Sequence, residues 1–233
     1  MFHIMLLLPL CSLIVSLVLA QPPNIIVILA DDLGYNDVSW HNDAVIMPHI
    51  SQLAAEGVTL EQHYSQPLCS PTRGALLTGR YPIHNGLNNG AIQPLIPYGL
   101  DTSEITLPEE LRRANYTTHI VGKWHLGFCN KKFWPTNRGF DHHYGFMNGG
   151  QNYFTHARMG GYDFWDDEEV ALGDNGTYSS TLIQQRAVDI ISTHDDSKPL
   201  FMYVPFQSVH GPLMVPDVYR NMYNTIENEE RRT

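Results

Sequence analysis

Cys69 heads the run Cys69-Ser-Pro-Thr-Arg73-Gly-Ala-Leu-Leu-Thr-Gly79-Arg80, which reads as the opening turns of a helix. Pro71 is tolerated where a missing N–H costs nothing, and Ala75, Leu76 and Leu77 continue the pattern. A thiol at that point meets unpaired amide donors and the positive end of the helix dipole. Arg73, four residues on, shares its face. The window describes an anion site with a reactive side chain at its mouth, or a cysteine simply buried at a helix start.

Three more clusters could join it. Asp31-Asp32 closes the run Asn24-Ile-Ile-Val-Ile-Leu-Ala30. Adjacent carboxylates repel, and a divalent cation removes the conflict, carboxylate oxygen suiting Ca²⁺ or Mg²⁺. A helix cap beside a solvated turn residue would use the same pair, and no HxxxH or CxxC spacing suggests zinc. Lys123 and His125 are two apart, so if strand geometry persists they project to one side as a fixed charge and a proton carrier. The alternative is a strand exit with Trp124 inward and its neighbours solvated. His210, before Gly211-Pro212, is by itself an ordinary loop histidine.

The elements that must position these residues follow from periodicity. Residues 24–30 form a buried parallel strand, 50–56 a short helix, and 81–98, rich in Gly, Asn and Pro, a surface loop. Thr106–Arg113 begins a helix with Pro108 and two acids near its start. Residues 118–121 form a strand, 129–176 show no clear period, 180–192 form an amphipathic helix, and 199–205 form the last strand. Three apolar strands thus end in polar clusters at Asp31-Asp32, Lys123/His125 and His210. Alternating strands and helices predict an α/β fold with a mostly parallel sheet and helices on both faces, and ligands in such sheets bind beyond the strands' carboxyl ends.

Residues 1–20 are apolar and end in Val-Leu-Ala before Gln21-Pro-Pro, which predicts a signal peptide, with an uncleaved anchor as the alternative. No later segment is long and apolar enough to span a bilayer. Asn115-Tyr-Thr and Asn175-Gly-Thr are glycosylation acceptors if the chain enters the secretory pathway, towards a lysosome or the exterior. Beyond the leader the cysteines are Cys69 and Cys129, too few for a disulfide framework. A net charge of −10 with no Lys/Arg stripe argues against nucleic acid. Arg73, Arg80 and Lys123 are the candidates for a local positive site within that negative body.

The wording of several segments resembles the sulfatase family: N-I-I-V-I-L-A-D-D-L-G, C-S-P-T-R with L-T-G-R, G-K-W-H-L-G, R-G-F-D and Q-S-V-H, in the expected order. Q-S-V-H-x-P-L and Glu168-Glu-Val-Ala171 look closest to the arylsulfatase B (N-acetylgalactosamine-4-sulfatase) group. The resemblance runs from Asn24 to about Tyr219. It implies an alkaline phosphatase-like fold with residues 21–233 forming the N-terminal part of a catalytic domain. It also implies one Ca²⁺ held by Asp31, Asp32 and residue 69, with Cys69 oxidised to formylglycine by the formylglycine-generating enzyme. Arg73 would hold the formylglycine hydrate, Lys123 the substrate sulfate, His125 the diol, and His210 would lie against the sulfate ester of a sulfated glycan or aryl sulfate.

One departure stands out. The family's later half supplies an Asp-Asn metal pair and a further sulfate-binding lysine, whereas this sequence passes from His210 to a polar end without either. It is expected to be C-terminally truncated, with an exposed sheet edge and a partial calcium site. Two other readings remain beside sulfate ester hydrolysis. One is a phosphatase or phosphodiesterase of the wider fold, disfavoured by a thiol among hard-cation ligands. The other is an inactive secreted protein that binds anionic glycans or a full-length homologue.

Overall fold

The computed structural model describes residues 22–232, so the apolar leader lies outside the described residues. Six strands form one mixed sheet in the order β1 (Ile25–Leu29), β8 (Leu200–Pro205), β2 (Thr117–Lys123), β3 (His142–Phe146), β6 (Trp165–Asp166), β7 (Glu169–Val170). The first four run parallel, with Ile25 opposite Phe201, Thr117 opposite Leu200 and His119 opposite His142. The last two pair antiparallel at the edge, and β4 (Ala157–Arg158) and β5 (Gly161–Tyr162) form a separate two-stranded ribbon.

Helices cover both faces because the central strands are apolar on both. On one face α2 (Cys69–Thr78) and the segment after it deliver Leu77, Leu87 and Leu100 against Ile120, Trp124, Phe140, Phe201 and Tyr203. On the other, α5 (Ser179–Thr193) lays Ile183 and Ala187 against Val121, Phe146, Met202 and Val204. Each large side chain so buried contributes about 1.5–3 kcal/mol to the hydrophobic term. α4 (Leu107–Arg113) starts with the Thr106 amide donating to Glu109 Oε2 at 2.7 Å, as its acidic first turn predicts. β1 pairs only with β8 among the described residues, and its Ile26 and Ile28, opposite Met202 and Val204 on the α5 side of the sheet, are exposed.

Two sequence expectations change. The 81–98 loop contains a helical turn, α3 (Pro82–Asn85), and buries Leu87 in the core, because Pro82 starts the turn and Gly86 ends it in the left-handed region. The aperiodic 129–176 stretch contributes β3, a strand of two histidines, tyrosine and glycine that carries no aliphatic signal. Its Gly145 packs directly on the Gly122 carbonyl, as Gly122 does on Pro205, at distances where any Cβ would collide. The ends of β8, β2 and β3 are thereby drawn together, and both glycines have positive φ.

Candidate active site

Beyond the carboxyl ends of β1, β2 and β8 the sequence-predicted residues converge. The backbone of Asp31 bonds across to the end of β8, its N–H donating to Ser208 O at 2.9 Å and its C=O accepting from Val209 N at 2.8 Å. The Asp31 carboxylate, almost fully buried, accepts from Lys123 Nζ at 2.5 Å and Arg73 Nη2 at 3.3 Å. Arg73 also donates to Lys123 O at 3.1 Å and Tyr203 Oη at 3.4 Å, while its buried Nε has no partner among the described residues. Burial, and then the neighbouring Arg73 charge, lower the proton affinity of Lys123, while Asp31 opposes both. Two cations and one carboxylate leave this cluster positive inside a negative body.

Cys69 is the first residue of α2, half-buried, and the helix starts without a side-chain cap. Its leading amides are therefore free for an anion. One ligand atom each from Asp31, Cys69 and His210 lies within 4.8 Å of the others, and His210 Nε2 is 3.9 Å from Asp32 Oδ2. Asp32 is itself exposed and held at φ 58°, a conformation Asp tolerates better than most residues.

Lys123 and His125 do face one site, yet not by strand alternation. β2 ends at Lys123, and His125 turns away at φ 59°. Trp124 between them is fully buried, its Nε1 donating to Phe133 O at 2.8 Å, and its neighbours are buried too rather than solvated. His125 Nε2 lies 2.8 Å from Ile92 O. A carbonyl only accepts, so that nitrogen carries the proton and leaves Nδ1 an acceptor. Nδ1 is buried with no partner among the described residues. Burial, followed by the Lys123 charge, holds the ring's proton affinity well below its ordinary value, so the imidazole is neutral with a free lone pair.

Arg80 is not part of the site. It lies past the far end of α2, where its Nη1 donates to both Glu104 carboxylate oxygens at 3.0 and 3.1 Å. Seven residues at helical rise separate the two arginines of the motif by about 10 Å along the axis. Several contributors carried no sequence signal. Ser70 Oγ accepts from Ile92 N at 3.0 Å, so α2 fixes the carbonyl that orients His125. Tyr203 supports Arg73 from the middle of β8, and Gly149 and Gly150 pass between the two histidines. Only the Ser beside Cys69 lay inside a recognised motif.

Two depressions flank the cluster. One, of about 240 Å³, is lined by His125, Gln93, Phe128, Cys129 and Asn148. The other, of about 590 Å³, is lined by His210, Ser208, Tyr153, Tyr178, Leu213 and Tyr219. Asn115 and Asn175 are exposed, and no helix of the described residues is long and apolar enough to cross a membrane.

A parallel-sheet α/β protein with a buried arginine, lysine and neutral histidine around a helix-start cysteine defines a class built to handle an anionic group. The comparisons narrow that class. The sulfatase family profile matches residues 23–233. Mouse arylsulfatase J is 45% identical over 216 residues, covering 90% of this chain and 36% of that protein. Rat N-acetylgalactosamine-6-sulfatase is 35% identical over 221 residues, covering 83% and 40%. Among solved structures, Ps i-CgsB, crystallised with k-i-k-neocarrahexaose, superposes with a TM-score of 0.85 at 30% identity and covers 91% of this chain and 51% of that one. The chain belongs to the sulfatase family. It spans between about a third and a half of the length of these relatives.

Proposed function

We propose that this chain carries the nucleophile half of a sulfuric ester hydrolase of the arylsulfatase type. The observation that carries the reading is the meeting of Asp31, Cys69 and His210 within 4.8 Å, with Arg73 and Lys123 on the same Asp31 carboxylate and His125 under the influence of the Lys123 and Arg73 charges. On this reading Cys69 is oxidised to formylglycine by the formylglycine-generating enzyme, and one oxygen of its hydrate supplies the nucleophile for sulfur. Attack would break the S–O ester bond and release the protonated alcohol; loss of the proton from the second hydroxyl would then eject sulfate and restore the aldehyde. Arg73 holds the attacking oxygen and offsets its charge. Lys123 binds the sulfate oxygens, His125 Nδ1 accepts a proton from the hydrate, and His210 lies against the ester oxygen.

The donor set bears on the metal. As translated, Asp31, Cys69 and His210 offer one oxygen, one sulfur and one nitrogen, which is not a calcium set. Oxidation replaces the sulfur with oxygen, and with Asp32 the site then fits one side of a Ca²⁺ shell. Ca²⁺ takes about six to eight oxygens, so these residues hold it only in part. When bound, the ion would supply a fixed charge beside the hydrate oxygen and the sulfate.

The substrate we propose is a sulfated glycan, with sulfated N-acetylgalactosamine the preferred unit. The tyrosine-lined cleft beside His210 suits a sugar face, and a relative is named for that sugar. The apolar leader and exposed Asn115 and Asn175 support passage through the secretory pathway, to a lysosome or the exterior, with glycans at both. Expression in a secretory host containing the converting enzyme, followed by mass spectrometry of the peptide spanning Cys69, tests the first step. A thiol that persists there overturns the reading. A chromogenic aryl sulfate assay with and without Ca²⁺ tests the second, and firm glycan binding without turnover would favour the inactive binding protein instead.

A further inference from the structure

Past β3 the chain continues as Met147-Asn148-Gly149-Gly150-Gln151, and this segment is clamped along its length. Asp163, almost fully buried, accepts from Met147 N at 3.0 Å, Asn148 N at 3.0 Å and Asn148 Nδ2 at 2.9 Å. The Gln207 amide closes the other end, Oε1 accepting from Gln151 N at 3.1 Å and Nε2 donating to Gln151 O at 2.7 Å. Arg158 Nη1 donates to Gly150 O at 2.9 Å. Between these clamps, the two glycines lie against the site's two imidazoles. A Cβ on Gly149 would sit 2.6 Å from His125 Cε1 and 2.8 Å from its Nε2, and one on Gly150 would sit 3.2 Å from His210 Cε1 and Nδ1. Gly149 is not at positive φ, so its lack of a side chain answers to the ring and not to the backbone.

We infer that residues 147–151 are a positioning strap, in which bare glycine backbone sets the depth and orientation of His125 and His210, and Asp163 and Gln207 hold the strap in place. His125 is trapped between Gly149 and the Ile92 carbonyl, which fixes its proton on Nε2 and turns Nδ1 to the site. An added methyl at 149 must push the ring by a large fraction of an ångström and open the Nε2–Ile92 bond. The same change at 150 needs only a few tenths of an ångström from His210. The two positions should therefore differ in effect, 149 being the stricter. The inference rests on the reading that both histidines serve sulfate ester hydrolysis, but its structural part can be read without turnover.

The experiment is histidine-labelled ¹⁵N/¹³C NMR on the secreted full chain, alongside aryl sulfate kinetics. The wild-type His125 should show the neutral Nε2–H tautomer down to acid pH. In Gly149→Ala the His125 signals should move and show mixed tautomers while melting stays near wild type. Turnover should fall about a hundredfold with KM within about twofold. Gly150→Ala should move the His210 signals and lower turnover by only about threefold. Gln207→Met, which adds no Cβ clash, should loosen the strap and broaden both rings' signals. Gly173→Ala, exposed and with open space at its Cβ, is the control and should change nothing. Unmoved His125 signals in Gly149→Ala overturn the inference. So does unfolding of both Gly149→Ala and Gln207→Met, since the segment would then be structural rather than positional. Ring shifts in a chain that hydrolyses no sulfate would sustain the strap and count against the hydrolase reading alone.

Discussion

β2 carries titratable side chains at both ends, and the two ends treat them in opposite ways. At the carboxyl end Lys123 is fully buried yet charged, because Asp31 from β1 and a structured shell from α2 and β8 surround it. Near the amino end His119 stacks on His142 of β3, ring centroids 5.0 Å apart, and its buried Nδ1 has no partner among the described residues. Burial, then the His142 charge, lowers its pKa to about 4. His143, one residue on, is pushed to about 4 by burial as well. The difference is one of convergence. Loops from β1 and β8 and the start of α2 all reach the carboxyl end, so a buried charge finds partners there; at the other end the histidines resolve the same cost by staying neutral.

The largest expected effect breaks the carboxyl end outright. Cys69→Ala should abolish aryl sulfate turnover with melting unchanged, since the side chain is half-buried and belongs to neither hydrophobic core cluster. Residual turnover within tenfold of wild type would refute the assignment of the nucleophile. Asp31→Asn comes next and should cost both activity and fold. It leaves Lys123 and Arg73 buried without their carboxylate, a loss of about 3–5 kcal/mol for a buried pair broken on one side. Chemical denaturation reads that value, and a midpoint unchanged from wild type would show that the cluster is not a stabilising hub.

The amino end predicts a pH effect of opposite character. In the unfolded chain histidine protonates near 6.5, whereas folded His119 and His143 resist protonation down to about 4. The unfolded state therefore binds more protons in that interval, so stability present above pH 6.5 is lost progressively as pH falls towards 4. Melting temperatures across this range should decline, and the decline should flatten in His119→Gln and His143→Gln. A parallel slope in all three proteins would remove these histidines as its cause. The smallest effect belongs to Arg80→Ala, which gives up a half-exposed pair with Glu104 and should cost about 1–2 kcal/mol with kcat/KM unchanged. A loss of turnover there would return Arg80 to the site.

Much of the site was legible because its residues sit in motifs with local physics. Asp31-Asp32 ends an apolar run, Cys69 opens a helix, and Lys123 and His125 follow a strand; each reading needed only a few neighbouring residues. Gly149, Gly150 and Tyr203 were not legible, nor was the role of Gln207 within its quoted segment, because their contribution is a contact with residues far away in sequence. β3 was missed for a related reason: its histidines, tyrosine and glycine lack the aliphatic pattern of a buried strand, and its place follows from Gly145 packing on Gly122. Arg80 misled because a motif shows proximity in sequence, and a helix turns the seven residues after Arg73 into a separation.

The sequence by itself determined the strand-to-cluster order, the helix that presents Cys69, the family, and the overall charge against which a positive site must be built. These depend on period, caps and composition, which are properties of short windows. Only the tertiary structure decided that Asp31 binds both Lys123 and Arg73, that His125 is neutral with Nδ1 free, and that bare glycines separate the two imidazoles. Those facts arise from burial and from distances between residues up to 92 positions apart, and desolvation and Coulomb energy depend on such distances and not on order along the chain.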